Sequence, residues 1–422
     1  MMREFYSKFI QNIFYYFFVQ GSTFFLNIYL IRTYNKEIFG SYAIILSTVI
    51  LVGGISDLGM GSVASRFLPE FINSQKERAL KILKLVLLVS VFSSLIASVL
   101  FFVLNETIVT ALFGNTQLKS EVLISIIIIF FFGLNTSLTG VFVGFGYFLQ
   151  LAKISVIGGI LYVMLPLLFR INYGLYGILL GIGLAYCIQV ICMYIFIFRA
   201  GLLRSNTVGF NAVVSEINVV YKYSLPSILG GICSVFALWF LQYTLLNVSS
   251  DTKQIADYNV ALSIKTVVLM LPAVINGVSL NILNGILGRE RINYKSAFKL
   301  SHYVTLASTI LVVIIFSLFT KQLLHFFGKD YAGNTLILFI LLIATIPEAL
   351  TISRSQILTS ENRIWSSFFL INVPRDIFIC LFGGSYLISN YGVIGACLTY
   401  LFARVYSMVS VYLLTFKSKL LV

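Results

Sequence analysis

Long apolar runs broken by short polar clusters make up nearly the whole chain. A helix that crosses a bilayer needs about 20 largely apolar residues in a row. That length predicts twelve such helices, over 9–32, 39–63, 82–104, 120–147, 151–170, 174–199, 223–247, 258–284, 300–320, 332–356, 363–388 and 392–416. Most connections carry clear polar clusters, such as Asn73-Ser74-Gln75-Lys76-Glu77-Arg78. The thinnest separators are Phe148-Leu149-Gln150 and Ile171-Asn172-Tyr173. Inside the runs, polar positions keep a helical period. Asn12, Tyr16, Gln20, Thr23 and Asn27 share one face of the first helix, and Ser227, Gly231, Ser234 and Gln242 lie along one side of the seventh. Such faces suit a cavity wall, and they suit helix–helix hydrogen bonding equally well.

The pattern also repeats at half length. Asn172-Tyr173-Gly174-Leu175-Tyr176-Gly177 is echoed half a chain later by Asn390-Tyr391-Gly392-Val393-Ile394-Gly395, and Ala185 and Ala403 keep the same offset. Tyr42-Ala43-Ile44-Ile45-Leu46-Ser47 is echoed at nearly that offset by Tyr258-Asn259-Val260-Ala261-Leu262-Ser263. Six helices return the chain to its starting side, so the two copies are expected as parallel repeats about an axis along the membrane normal. The fold expected is all-α and polytopic: an N-lobe at 1–200, a cytoplasmic linker at 201–222 and a C-lobe at 223–422, with a cavity between the lobes. The Asn-Tyr-Gly segments fall at turns, where Gly relieves crowding and Asn tolerates turn geometry.

Composition sharpens this picture. The chain is 59% hydrophobic and 10% charged, with a mean hydropathy of +0.98. Soluble domains carry about 25% charged residues, so an integral membrane protein is expected. The net charge of +14 has a topological explanation. With the N-terminus inside, 19 Lys and Arg fall in cytoplasmic segments and 7 in outer ones, which predicts both termini in the cytoplasm. No nucleic-acid partner is needed. The apolar run after Met1–Lys8 lacks a small-residue cleavage site and reads as a retained helix. Cys187, Cys192, Cys233, Cys380 and Cys397 sit in apolar runs at no ligand-like spacing, so neither disulfides nor a metal site is expected. His302 and His325 stand alone near helix ends. No connection exceeds about twenty residues and no phosphate-binding loop occurs, so no cofactor is expected and no enzyme domain is accommodated.

Ionisable groups inside hydrocarbon are costly and usually face a cavity or a partner. Here they are Asp57, Lys265, Glu348, Arg375, Asp376 and Arg404. Lys265 lies seven residues into the predicted eighth helix, or ~10 Å deep at 1.5 Å per residue. Arg375, Asp376 and Arg404 fall mid-span, whereas Asp57 and Glu348 fall towards cytoplasmic ends. Three deep cations suggest a cavity that accepts an anion, with Lys265, Arg375 and Arg404 as its ligands. The alternative is that an arginine pairs with Asp376 and that Lys265 snorkels outward. Neighbours on a helix point about 100° apart, so Arg375 and Asp376 need not pair directly. Gln20, Asn27, Gln242, Asp57, Arg66 and Asp376 are the candidate cavity or gating residues. Gly53-Gly54 interrupts the second helix, and Pro272 follows Gly54 at the offset of the Asn-Tyr-Gly echo, so these three are candidate hinges.

The second helix ends in Ser56-Asp57-Leu58-Gly59-Met60-Gly61-Ser62, followed by Arg66-Phe67-Leu68-Pro69-Glu70 and preceded by Phe39-Gly40-Ser41-Tyr42. These segments resemble the polysaccharide flippases (Wzx-type, O-antigen and capsule transporters) of the multidrug/oligosaccharidyl-lipid/polysaccharide exporter superfamily. The resemblance extends over the whole chain. It implies a MATE-like fold of two six-helix lobes working by alternating access. It also implies movement of an undecaprenyl-diphosphate-linked oligosaccharide from the cytoplasmic to the outer leaflet of a bacterial inner membrane. Its partners would be the anionic lipid-linked oligosaccharide, membrane lipids and other polysaccharide assembly proteins. Lys265 fits the cationic cavity residues of such flippases. Physically, Asp57 could accept backbone N–H groups or pair with Arg66. The basic and apolar residues from Arg66 to Lys84 would suit an interfacial helix against anionic lipid heads, or a solvated basic loop. Two other readings remain: a cation-coupled multidrug exporter of the same fold, expected to carry acidic cavity groups, and a membrane glycan polymerase or ligase. The latter would need a large catalytic outer loop, and the longest outer connection here spans only 105–119.

Overall fold

The computed structural model describes residues 2–72, 75–114, 116–202, 217–249, 251–286, 291–361, 363–416 and 418. The expected linker at 201–222 lies outside the described residues over 203–216. Everything ordered into elements is helical: α1 (Met2–Thr33), α2 (Lys36–Ser56), α3 (Met60–Phe71), α4 (Lys76–Val103), α5 (Asn105–Phe113), α6 (Lys119–Ile124), α7 (Ile126–Phe145), α8 (Phe148–Arg199), α9 (Ile217–Ser249), α10 (Thr252–Ile286), α11 (Arg291–Leu318), α12 (Thr320–Phe327), α13 (Thr335–Ser360), α14 (Ile364–Ser367) and α15 (Gly384–Thr415). Between α14 and α15 the chain continues as π-helix over Phe368–Asn372 and Pro374–Gly383.

Among the described residues, nine segments are long and apolar enough to cross a membrane, and two of them are 52 residues long. Each of those two folds back on itself at one glycine. Gly174 has φ 56°, ψ −130° and Gly392 has φ 55°, ψ −130°. That conformation belongs to glycine, and it matches the first corner of a type II′ turn. The arms then run antiparallel. A Cβ on Gly177 would strike the Phe169 carbonyl, one on Gly181 would strike Leu165 and Pro166, and one on Gly158 would touch the Gln189 amide. In the second hairpin a Cβ on Gly395 would strike the Leu387 carbonyl, and Gly384 faces Thr399. Counting each arm, and adding the 32-residue α1, gives the twelve membrane-length helices expected.

The duplication extends to almost every boundary. Helices start at Lys36 and Thr252, Lys76 and Arg291, Asn105 and Thr320, Lys119 and Thr335, and Phe148 and Ile364; they end at Val103 and Leu318, and at Arg199 and Thr415. The offset within these pairs never varies by more than a single position. The short helices α5 and α12 form a third repeat pair that the sequence echoes did not reveal. Each buries two apolar residues at matching places, Val109 and Leu112 in one, Leu324 and Phe327 in the other.

Besides the π-helical stretch of the second hairpin, which α8 matches with ordinary α-helix, one element breaks the symmetry. The second copy runs as a continuous α10, with Pro272 inside it. The first copy is split into α2 and α3 at Leu58 (φ 47°) and Gly59 (φ 66°). The single helix expected over 39–63 is therefore two. Gly53 and Gly54 are themselves helical, and the break falls after them. The positions matching Leu58 and Gly59 are Val274 and Ile275, β-branched residues that do not accept positive φ.

The chain divides into two compact units, one of Met1–Ile44 with Phe236–Val422 and one of Ile45–Val235. In the second unit α3 packs on α7 through glycine. A Cβ on Gly61 would press on the Thr136 carbonyl, one on Gly140 on Gly61, and one on Gly144 on the Ala64 carbonyl. Backbones meet this closely because lipid offers no hydrophobic drive between helices, so van der Waals contact and small residues must supply it. Helix α4 shows the same inversion of the soluble pattern. Ser90, Ser94 and Ser98 are buried along one face while Phe92, Ile96, Val99 and Val103 are exposed. Glycine at the hairpin corners should be irreplaceable. Gly174→Ala or Gly392→Ala is expected to cost about 1–3 kcal/mol from backbone strain, read as a lowered melting temperature of the detergent-solubilised protein. An unchanged melting temperature would contradict the positive-φ corner.

Candidate functional site

Three buried or part-buried charged groups and a tyrosine of the first compact unit meet from three helices. Lys265 comes from α10, Glu348 from α13, and Tyr400 and Arg404 from successive turns of α15. Glu348 is the centre. Its Oε2 lies 3.0 Å from Lys265 Nζ and its Oε1 lies 3.3 Å from Arg404 Nη2. The Tyr400 hydroxyl donates to Glu348 Oε2 at 2.7 Å and accepts from Lys265 Nζ. Both cations also sit over the Tyr400 ring, Lys265 Nζ at 4.2 Å and Arg404 Cζ at 4.7 Å from its centroid. Lys265, Glu348 and Tyr400 are 7%, 8% and 1% exposed, so this is a buried assembly and not a surface ion pair.

Two expectations change here. Lys265 is deeper than its predicted helix implied, because α10 begins at Thr252; thirteen residues at 1.5 Å each put it roughly 20 Å along the helix. Glu348 is not apart at a cytoplasmic end. It lies thirteen residues into α13 and bridges the two cations. Lys265 and Arg404 come together on Glu348, and Arg375 does not join them there. Arg375 makes its own pair, donating from Nε and Nη2 to the two Asp376 oxygens at 2.6 Å each. Neighbours in sequence pair here because the long arginine side chain, within the π-helical segment Pro374–Gly383, reaches round to the adjacent carboxylate.

Several of the remaining candidates have structural partners. In the second unit, buried Asp57 takes the Gly61 N–H at 3.3 Å and the Ser137 hydroxyl, and Ser137 in turn accepts from Ser90 at 2.7 Å. Asp57 thus ties down the start of α3 beside the Leu58–Gly59 break. Arg66 lies on α3, half-buried. In the first unit, Asn27 donates to Ser263 at 3.1 Å and Gln242 accepts from Asn259 at 3.1 Å, while Gln20 Oε1 is buried without a hydrogen-bond partner. The side chains of Asn12, Tyr16 and Ser227 lie outside the described residues.

A second charged constellation joins the starts of α2 and α10, the repeat-related helices. Lys36 Nζ meets Asp257 Oδ1 at 2.7 Å and Lys253 Nζ meets Glu37 Oε1 at 2.8 Å. The Thr252 hydroxyl donates to the Glu37 carbonyl at 2.9 Å, and Gly40 leaves no room for a Cβ against Thr252. Lys36 also covers the Tyr331 ring at 4.5 Å. Burial, reinforced by Asp257, pushes the Tyr331 phenol above its ordinary value.

No protein-family model matches the chain, and no curated protein matches it. Solved structures match along nearly its whole length. The eukaryotic MATE transporter AtDTX14 is 15% identical, with 98% of this chain and 97% of that one covered and a TM-score of 0.75. An outward-facing multidrug resistance MATE family transporter of the MOP superfamily is 15% identical over 97% of this chain and 94% of its own, with a TM-score of 0.72. A MOP superfamily transporter from Pyrococcus furiosus, whose reversed binding-pocket polarity suggests a different function, is 15% identical over the same shares, with a TM-score of 0.71. The chain has the MATE-like fold. These neighbours are membrane transporters, not enzymes.

Within the MATE-like fold, the internal repeat separates scaffold from chemistry. The positions matching Lys265, Glu348, Tyr400 and Arg404 in the first copy are Val49, Phe132, Ile182 and Tyr186. Phe132 and Tyr186 make an edge-on ring contact at 5.5 Å where Glu348 and Arg404 make an ion pair. The same three-helix junction therefore folds without charge. Removing one partner of a buried ion pair costs about 3–5 kcal/mol, whereas replacing the whole set with apolar groups can be nearly neutral. Glu348→Ala is expected to lose about that much stability. The combined Lys265→Val, Glu348→Phe, Arg404→Tyr variant should melt closer to the parent than Glu348→Ala does. A combined variant less stable than Glu348→Ala would make the cluster a structural requirement.

Proposed function

We propose that this chain is a flippase that carries an undecaprenyl-diphosphate-linked oligosaccharide from the cytoplasmic to the outer leaflet by alternating access. The observation that carries this reading is the buried assembly of two cations on a single carboxylate. Its formal charge is one positive unit, held inside a membrane protein where an uncompensated charge is expensive. A diphosphate linked to a lipid is the complementary guest: anionic, able to accept from both a guanidinium fork and an ammonium, and already resident in the bilayer. In this reading Lys265 and Arg404 hold the head group, and the Arg375–Asp376 pair stiffens the π-helical wall.

The excess of Lys and Arg in the segments predicted to face the cytoplasm supports a bacterial inner-membrane protein with both termini inside. A cation-coupled multidrug exporter of the same fold would instead be expected to offer free acids to its cation. Glu348 is engaged by two cations and Asp57 caps a helix, so neither meets that expectation. The Pyrococcus furiosus transporter, with its reversed pocket polarity, is the precedent for a MATE-like fold put to another use. The test is made in the cell that encodes the chain. Lys265→Ala should abolish surface display of the exported glycan while the protein still reaches the membrane in normal amount. Unchanged display would sink the cationic site.

A further inference from the structure

We infer that the Glu348 carboxylate is a built-in competitor for the substrate's head group, filling the seat on Lys265 and Arg404 when it is empty and setting the charge an incoming lipid must carry to displace it. This rests on the reading of the cluster as a diphosphate site. Glu348 occupies the seat as a phosphate group would, with one oxygen on each cation and a hydroxyl donor, Tyr400, on the oxygen nearer the lysine. A carboxylate has only two oxygens, and the seat offers more donors than it uses. The buried Nε of Arg404 has no hydrogen-bond partner. Nη2 of that edge meets Glu348, so the fork is only half used, although bidentate use is what arginine is suited for. The first repeat shows that the junction needs no carboxylate to fold, because Phe132 stands at the matching position.

The consequence is a threshold. A bilayer is crowded with monoanionic phospholipids, any of which a bare pair of cations would attract. A tethered carboxylate competes at an effective concentration in the millimolar range or above. A single negative charge only matches what Glu348 already supplies. A diphosphate brings more charge and more acceptor oxygens than the carboxylate, including one for the unused Nε of Arg404, so it displaces Glu348 where a phosphatidylglycerol does not. Glu348 is therefore a specificity-determining residue that acts by excluding the common lipid.

Binding to the purified full-length protein in nonionic detergent tests this, with undecaprenyl diphosphate and phosphatidylglycerol as probes. Glu348→Gln keeps the shape and an acceptor for Tyr400 but removes the competing charge. It should bind undecaprenyl diphosphate about ten-fold more tightly and should acquire measurable phosphatidylglycerol binding that the parent lacks. If Glu348→Gln binds both lipids no better than the parent, while Lys265→Gln and Arg404→Gln each weaken diphosphate binding ten-fold or more, the site stands and the competitor role is overturned. If neither cation variant changes diphosphate binding, the site reading itself fails. Should Glu348→Gln not fold, Glu348→Met carries the test. It removes the carboxylate and leaves every donor in place, so both affinities should rise a few-fold; no rise overturns the proposal.

Discussion

Inside hydrocarbon no water can satisfy a backbone N–H or carbonyl, so the chain must stay helical through the membrane and can reverse only where helical bonds are given up cheaply. Gly174 and Gly392 meet that constraint in one shared conformation. Each turns the chain in a single residue, and the glycines that follow let the returning arm lie against the carbonyls of the outgoing one. The α3–α7 seam applies the same solution between separate helices. Apolar surface does not hold these helices together, since lipid accepts it as readily. Close backbone approach does, and glycine placement specifies where.

Duplication then explains which parts are scaffold. Helix boundaries recur at one offset along nearly the whole chain, so length, turn and packing were inherited twice. Besides the π-helical stretch of Phe368–Gly383 with its Arg375–Asp376 pair, which the first copy lacks, two places depart from the pattern. The first copy alone carries Asp57-Leu58-Gly59, which breaks its second helix where the other copy has Ala273-Val274-Ile275. The second copy alone carries Lys265, Glu348, Tyr400 and Arg404. A feature present in one copy and absent from the other is not demanded by the fold they share, and both departures introduce buried ionisable groups.

The spans, the repeat and the buried charge of Lys265 were legible because each is a one-dimensional signal: run length, spacing, and a charge in an apolar stretch. Glu348 was visible as a charge but misjudged in depth, since the predicted 332–356 helix extends in fact to Ser360 and packs its Glu348 turn against α10. Tyr400 carried no signal at all. In a chain with 15% aromatic residues another tyrosine in a helix means nothing until its hydroxyl is seen between a carboxylate and an ammonium. That an arginine pairs with Asp376 was one of the two sequence readings, but which arginine was not legible, because the π-helical segment that carries the pair depends on hydrogen-bond choice, which no residue pattern announces. The break after Asp57 was displaced by a few residues because two adjacent glycines, Gly53 and Gly54, looked the weaker point, yet both continue the helix and Gly53 packs closely on Phe132.

The reciprocal ion pairs at the starts of α2 and α10 bear on how such a chain came to be one chain. Lys36 stands opposite Asp257 and Glu37 opposite Lys253, yet by repeat position Lys36 matches Thr252, Glu37 matches Lys253 and Ser41 matches Asp257. Two identical copies meeting at this place would set lysine beside serine and glutamate beside glutamate, or lysine beside lysine. Complementarity exists only between unlike copies. The two halves are therefore no longer interchangeable, and a protein assembled from two first halves would meet itself at this junction with nothing to hold.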